Sequence, residues 1–297
     1  MITSARKIII MILNILLNGV VWGGIYALMS MGLSLQYGVA RVLNLAHGEF
    51  IMLAAFLTAS VCTLPHMNPL ISLAIVGPAL FIIGFLLYST LFRHLRKSSP
   101  SVGAFEGRSL LATFGLLYII QYAARLEWGS LPYNIKYLTD PIHFLGVSIQ
   151  TNRIVAFAFA IGLSVALYLL LSRTRLGKAI RAAAQDPATA GLMGVNINMV
   201  LALCFGLGAL MAGFAGVLHI MCFPASTVMG LKYTLIAIIV VVLGGMGSIP
   251  GCFIGGLILG IAGYAIEQFN AMLSLPAFYA IFLVLLLVRP AGIFGKR

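Results

Sequence analysis

The chain of 297 residues is 62% hydrophobic and 8% charged, with a mean hydropathy of +1.10, whereas an ordinary soluble domain carries roughly 25% charged residues. Lys and Arg outnumber Asp and Glu by 18 to 6, giving a net charge of +12. The basic residues stand between apolar runs rather than on a soluble basic face, which excludes nucleic acid as the partner and points to orientation in a lipid membrane.

In chain order, Arg6 and Lys7 precede the run IIIMILNILLNGVVWGGIYALM. This start imitates a secretion signal, but the run is too long and no clean small-residue cleavage site follows, so it reads as a retained first span. Further apolar runs fall near 50–64, 69–92, 109–124, 154–172, 200–222, 233–249, 251–267 and 274–288. Runs of roughly 17 to 25 residues are what a helix needs to cross the hydrocarbon. They are continuous rather than alternating, and each crossing must satisfy its own backbone, so the spans are helices and not barrel strands. The expected fold is all-α: a polytopic membrane helix bundle of about 8–9 transmembrane helices, with a broken or re-entrant segment near 33–50. No stretch is left over for a soluble domain, so 1–297 reads as a single transmembrane domain.

Two interruptions are strongly basic: Arg93, Arg96, Lys97 and Arg108 with one Glu, then Arg173, Arg175, Lys178 and Arg181 with one Asp. Both are expected in the cytoplasm, as is the tail with Arg289, Lys296 and Arg297. Residues 125–153 balance Arg125, Lys136 and Arg153 against Glu127 and Asp140, as suits an outside loop. Three crossings before Arg93 place Arg6 and Lys7 outside; an incomplete passage around 33–50 would place them inside. Both parities stay open.

Small residues recur at four-residue spacing: Gly19, Gly23 and Ala27; Gly208, Ala212 and Gly216; Gly251 with Gly255, and Gly256 with Gly260. Such rows let helix backbones approach closely, either inside one bundle or against a second membrane subunit. A loose echo links NLAHGEFIMLAAF with LGGMGSIPGCFIGG, each a polar or glycine-rich break before an apolar run, as in pseudo-symmetric transporters. Cys62, Cys204, Cys222 and Cys252 are scattered without ligand spacing and read as buried unpaired thiols. No cofactor is expected.

YGVARVLNLAHGEFIML, Tyr37 to Leu53, concentrates polar groups in this apolar chain. His47 and Glu49 are two apart and point to different faces of a helix, whereas metal pairs on one face need a spacing of three or four. His66, His94, His143 and His219 stand alone in sequence, so neither a metal site nor a catalytic triad is supported. A charge at the bilayer centre costs roughly 2.5 to 3.5 kcal/mol on insertion scales. Arg41 and Glu49 must therefore lie near an interface, pair with each other, or line a wet cavity. Gly32, Gly38 and Gly48 loosen the helix, and non-helical backbone at depth is tolerated only under protein or beside water. Two readings stand for Tyr37, Gly38, Arg41, Asn44, His47, Gly48 and Glu49: an elbow whose side chains replace lost backbone partners, and a stretch of translocation path.

The segment SRTRLGKAIRAAAQDPATAGLMGVNINMV carries a helix from Leu176 to Gln185, stopped by Asp186 and Pro187. Asp186 can cap a second short helix with Pro187 in its first turn, ended by Gly194. Ile180, Ala184, Leu192 and Met193 offer an apolar face beside Arg175, Lys178 and Arg181. Two short amphipathic helices on the cytoplasmic side are a docking surface or, more simply, an ordered loop.

GLSLQYGVARVLNLAHGEFIMLAAF, RAAAQDPATAGLMGVN and LGGMGSIPGCFIGG together resemble the permease subunits of branched-chain amino acid ABC transporters, the LivH-like family, from about Leu16 to Gly295. The resemblance implies a multi-pass protein of the bacterial inner membrane that forms half of an importer's path. It also implies a second homologous permease, two cytoplasmic ATP-binding subunits and a periplasmic solute-binding protein as partners. The loop at about 173–199 would then hold the coupling helix, Ala182 to Gly194, with Arg181, Ala183, Gln185, Asp186, Gly191 and Gly194 as coupling residues. The chain has no GxxxxGK[ST] phosphate loop, so ATP hydrolysis is expected in the partners and no enzyme activity in this chain. The family also handles urea, short amides and aromatic acids, with selectivity set largely by the binding protein. The rivals are a secondary transporter or channel with Glu49 or Glu267 as its membrane carboxylate, a membrane enzyme built on Asn44, His47 and Glu49, and a structural scaffold.

Overall fold

The structure, a computed structural model, describes residues 2–63, 68–144, 146–289 and 292–294. His66, Lys296 and Arg297 lie outside them. Helix α1 (Ile2–Ala40) runs for 39 residues because no proline interrupts it. An irregular segment, 41–46, leads into α2 (His47–Cys62). One long span follows, made of α3 (Ile71–Leu87), a π-helical turn (Tyr88–Phe92) and the basic α4 (Arg93–Ser98). Ser101 caps α5 (Val102–Trp128) by accepting the Ala104 N–H at 3.2 Å. An outer hairpin pairs β1 (Pro141–Phe144) with β2 (Val147–Gln150), and α6 (Thr151–Arg173) returns to the basic end. There α7 (Arg175–Gln185) and α8 (Pro187–Leu192) form the expected pair of short helices. The remaining spans are α9 (Ile197–Cys222), α10 (Gly230–Gly244), α11 (Ile249–Phe269) and α12 (Ser274–Val288).

Among the described residues, seven helical stretches are long and apolar enough to cross a membrane, while α2, with 16 residues, and α10, with 15, fall short. Each short helix is completed by an irregular lead-in, 41–46 before α2 and 223–229 before α10, so the chain makes nine passes among the described residues. Arg41 lines one cavity with Arg96 and Gln185, so α1 ends at the basic, cytoplasmic end and its N-terminus lies outside. The parity is thus resolved: the break at 41–46 is the lead-in to the pass that α2 completes and adds no further passage, and the two charges of Arg6 and Lys7 are outweighed by the basic loops.

The core is a stack of close helix crossings. A Cβ at Gly23 would lie 2.7 Å from Leu257 Cα, and one at Gly256 2.5 Å from the Ala27 nitrogen, so the row Gly19, Gly23, Ala27 packs backbone to backbone on Gly256 and Gly260 of α11. Gly208 meets Gln36, and Gly216 meets Ala54. Gly251 and Gly255 meet Gly244. These rows serve packing inside this chain, where small residues are what bring helices together in lipid. Helix α9, at the centre, is buried over most of its length.

Candidate functional site

Depth can be read along α1. At its outer part Asn18 accepts from Arg153 Nη1 at 2.6 Å and Asn14 accepts from Tyr264 Oη at 3.1 Å; at its inner end stands Arg41. Met29 is eleven residues from both Asn18 and Ala40, about 16 Å each way at 1.5 Å per residue. His47 Nε2–H donates to the Met29 carbonyl at 2.9 Å. Helix α2 therefore begins near mid-depth, and segment 41–46 climbs back from the cytoplasmic end to reach it.

The backbone of that segment must find partners away from water. Thr113 of α5 accepts from Leu45 N at 3.2 Å and lies 3.3 Å from the Leu43 carbonyl. Asn44 accepts from Ala46 N at 3.1 Å, and its amide donates to Gln36 Oε1 at 3.2 Å; Gln36 in turn donates to the Phe205 carbonyl at 3.2 Å. Thr234 of α10 donates to the Leu45 carbonyl at 2.9 Å and accepts from Gly48 N at 2.8 Å. A Cβ at Gly48 would overlap the Gly230 carbonyl oxygen, so only glycine admits this approach. The first turns of α2 and α10 thus meet in the middle of the membrane.

Glu49 belongs to that meeting point. Its carboxyl is fully buried against Gly230, the first residue of α10, and neither oxygen has a hydrogen-bond partner among the described residues. It does not pair with Arg41. It lies in the first turn of α2 and against the start of α10, where the positive ends of two helices favour an acidic group. Arg41 instead sits exposed at the cytoplasmic end with φ 56°, the left-handed conformation that more often closes a helix with glycine. Tyr37 supplies the carbonyl that accepts Arg41 N at 3.1 Å, and Gly38 faces Gly247.

The stretch from Tyr37 and the cytoplasmic loop, far apart in sequence, come together there. Arg41 lines a cavity of about 620 Å³ with Arg96, Ser101, Ala183, Gln185 and Pro187. A neighbouring cavity of about 250 Å³ joins Ser34 and Gly38 to Arg181, Ala184 and Gly247. The loop is anchored firmly: Gly177 packs on the Leu171 carbonyl, and Arg181 donates to the same carbonyl at the end of α6. Asp186 caps α8, accepting from Ala188 N at 2.9 Å and Thr189 N at 3.2 Å and from the Thr189 hydroxyl. These bonds, the Thr189 hydroxyl first, hold its carboxyl below the usual aspartate range. Gly194 ends the unit with φ 87°. The apolar face expected of the loop is divided: Ile180 is 2% exposed and points into the bundle, whereas Leu192 and Met193 are 89% and 81% exposed. Gly191 has only Ile197 near its Cβ position, at 3.8 Å.

The mid-depth break, its threonine supports and the exposed, capped α8 now stand beside what related chains show. The sequence matches the family described as branched-chain amino acid transport system, permease component, over residues 15–289. The chain belongs to this family. BraD of Pseudomonas aeruginosa, a high-affinity branched-chain amino acid transport system permease protein, is 31% identical over 303 residues, 95% of each chain. LivH of Escherichia coli, with the same description, is 31% identical over 94% of each chain. The probable LivH of Methanocaldococcus jannaschii is 26% identical over 95% of this chain and 92% of that one. The permease is accordingly a multi-pass membrane protein.

Several residues of this site escape sequence reasoning. Thr113 and Thr234 are single hydroxyls in apolar spans, a pattern shared with Thr58, whose hydroxyl merely bonds back to Ala54 within its own helix. Lys232 stands just ahead of the apolar run 233–249, where hydropathy does not tell a membrane interface from mid-depth. The contact between Gly48 and Gly230 shows that it lies near mid-depth.

Proposed function

We propose that this permease is the membrane subunit of an ATP-driven importer of branched-chain amino acids in a bacterial inner membrane, one permease domain that forms half of the path. The observation that carries this reading is the family match over nearly the whole chain. The partners would be a second homologous permease, two cytoplasmic ATP-binding subunits and a periplasmic solute-binding protein, with ATP hydrolysed in the partners and not in this chain.

Coupling would pass through 173–199. The exposed Leu192 and Met193, on a helix held in shape by Asp186, support α8 as the contact with an ATP-binding subunit. Movement of α8 would be transmitted by α7, whose Arg181 and Ala184 line the cavity bounded by Gly38 and Gly247. Gln185 and Ala183 would act on the cavity of Arg41 in the same way. In this scheme Asn44, His47, Gly48 and Glu49 form the fixed elbow between the cytoplasmic end and mid-depth. The test is purification of the assembled complex and ATP-dependent leucine uptake into proteoliposomes. Uptake that needs ATP and the binding protein supports the reading; leucine movement by this chain alone without ATP overturns it.

A further inference from the structure

Lys232 is a cation in an unusual place. It is exposed, and it is the third residue of α10, whose first residue packs on Gly48 and Glu49 near mid-depth. Its ammonium stays beside its own helix, 5.9 Å from the centroid of the Tyr233 ring, whose hydroxyl lies 3.4 Å from His219 Nε2. A lysine facing hydrocarbon at this depth costs roughly 2.5 to 3.5 kcal/mol on insertion scales.

The backbone leading to it makes the same point independently. Segment 223–229 re-enters from the outer end, tied to the outer loop where Tyr133 pairs with Ala225. It is covered at alternate positions, Ala225 being 0% exposed, Thr227 1% and Met229 7%, while Pro224 is exposed near its outer end. Val228 and Leu231 are open, at 56% and 42%, on the same edge as Lys232. Irregular backbone at membrane depth occurs under protein or beside a water-filled cavity, not against lipid. The edge is left open by this chain's own packing, and an ammonium on it fits water and not lipid.

We propose that the edge formed by Val228, Leu231 and Lys232 lines the water-filled substrate path, and that Lys232 Nζ meets the α-carboxylate of an aliphatic amino acid at mid-depth. This rests on the importer reading above. Val228 and Leu231 offer the apolar surface for the side chain. The start of α10, a helix of 15 residues, adds a positive end. The Glu49 carboxyl, buried against Gly230, offsets part of this positive potential. A weakened anion site suits a path, where binding must be loose enough to release.

The experiment uses the assembled complex in proteoliposomes, with Cys62, Cys204, Cys222 and Cys252 replaced and Lys232→Cys introduced. The probes are two membrane-impermeant methanethiosulfonates, one bearing trimethylammonium and one sulfonate. The result expected is modification of Lys232→Cys, detected by mass, while a chain retaining only the buried Cys252 stays unmodified. Leucine uptake should fall about tenfold in Lys232→Cys, the size of one charge-assisted hydrogen bond lost. The trimethylammonium adduct should restore more uptake than the sulfonate adduct, and Lys232→Arg should retain it. Absence of modification in an assembled complex overturns the proposal, as does equal uptake with the two adducts. If the parent complex moves no leucine, the importer reading fails, and modification still decides whether this edge is wet.

Discussion

Gly48 shows how much a single residue decides here. Its missing side chain lets the start of α2 reach the start of α10, and its N–H finds Thr234 at 2.8 Å. Gly48→Ala would force the two helices apart, and overpacking of this kind costs about 1 to 3 kcal/mol. The expected outcome is a lower melting temperature of the detergent-solubilised complex and loss of uptake. Gly162→Ala, with nothing within 4 Å of its Cβ position, should leave both unchanged. At Arg41 the prediction has the opposite sign for stability. Relief of a left-handed non-glycine residue is worth about 1 kcal/mol, so Arg41→Gly should melt at or above the parent temperature. The same change removes a cation from the cavity shared with Arg96 and Gln185, and leucine uptake should fall. The polar stretch was legible as a break because Arg, Asn, His and Glu are costly in lipid. Its supports were not, since a threonine that donates across helices has the same letter as one that bonds back to its own turn.

At the scale of elements, α8 is a helix of six residues that depends on its cap. The carboxyl of Asp186 is held below the usual aspartate range by bonds present only when α8 is formed. Its contribution is therefore complete above the ordinary aspartate pKa and is lost as pH falls through the lowered one. Hydrogen-exchange protection of Ala188 and Thr189 should hold from neutrality down to that range and decline only below it. Asp186→Asn, which still caps, should remove this pH dependence while keeping protection, and Asp186→Ala should lose protection at all pH values. Both short helices were legible from sequence because caps and breakers act locally: Asp186, Pro187 and Gly194 mark their ends, while the cap of α7 by Thr174 emerged only from the structure. The division of their apolar residues was not, because Ile180 turns inward only through the packing of α7 on α6 and α1. The glycine rows likewise announced close helix contacts without naming the partner. That α1 pairs with α11 follows from the three-dimensional register of Gly23 with Leu257 and Gly260.

Across the whole molecule, two short helices begin where the other seven stretches are passing through. Helix α2 runs outward from mid-depth and α10 runs back to the cytoplasmic end, so each irregular lead-in lies on a different side of the meeting point at Gly48 and Gly230. The sequence echo pointed to LGGMGSIPG as the counterpart of the first break. The structure puts that stretch in a tight turn, where Gly247 N donates to Ser34 Oγ at 3.1 Å, and gives the counterpart role to 223–230. Helix count and membrane class were readable because apolar run length is set by the bilayer; depth was not, because hydropathy does not distinguish a half-crossing from a short full one. Force applied at α8 would reach the meeting point through α7, the cavities beside Gly38 and Arg41, and the elbow. The most direct measurement is leucine uptake and ATP hydrolysis, recorded together in proteoliposomes, for the complexes carrying Asp186→Arg and Gly191→Trp. Neither position is buried, so both complexes should assemble and hydrolyse ATP with uptake reduced at least about tenfold, the scale of a broken coupling contact. Normal uptake per ATP in both variants would contradict coupling through α8.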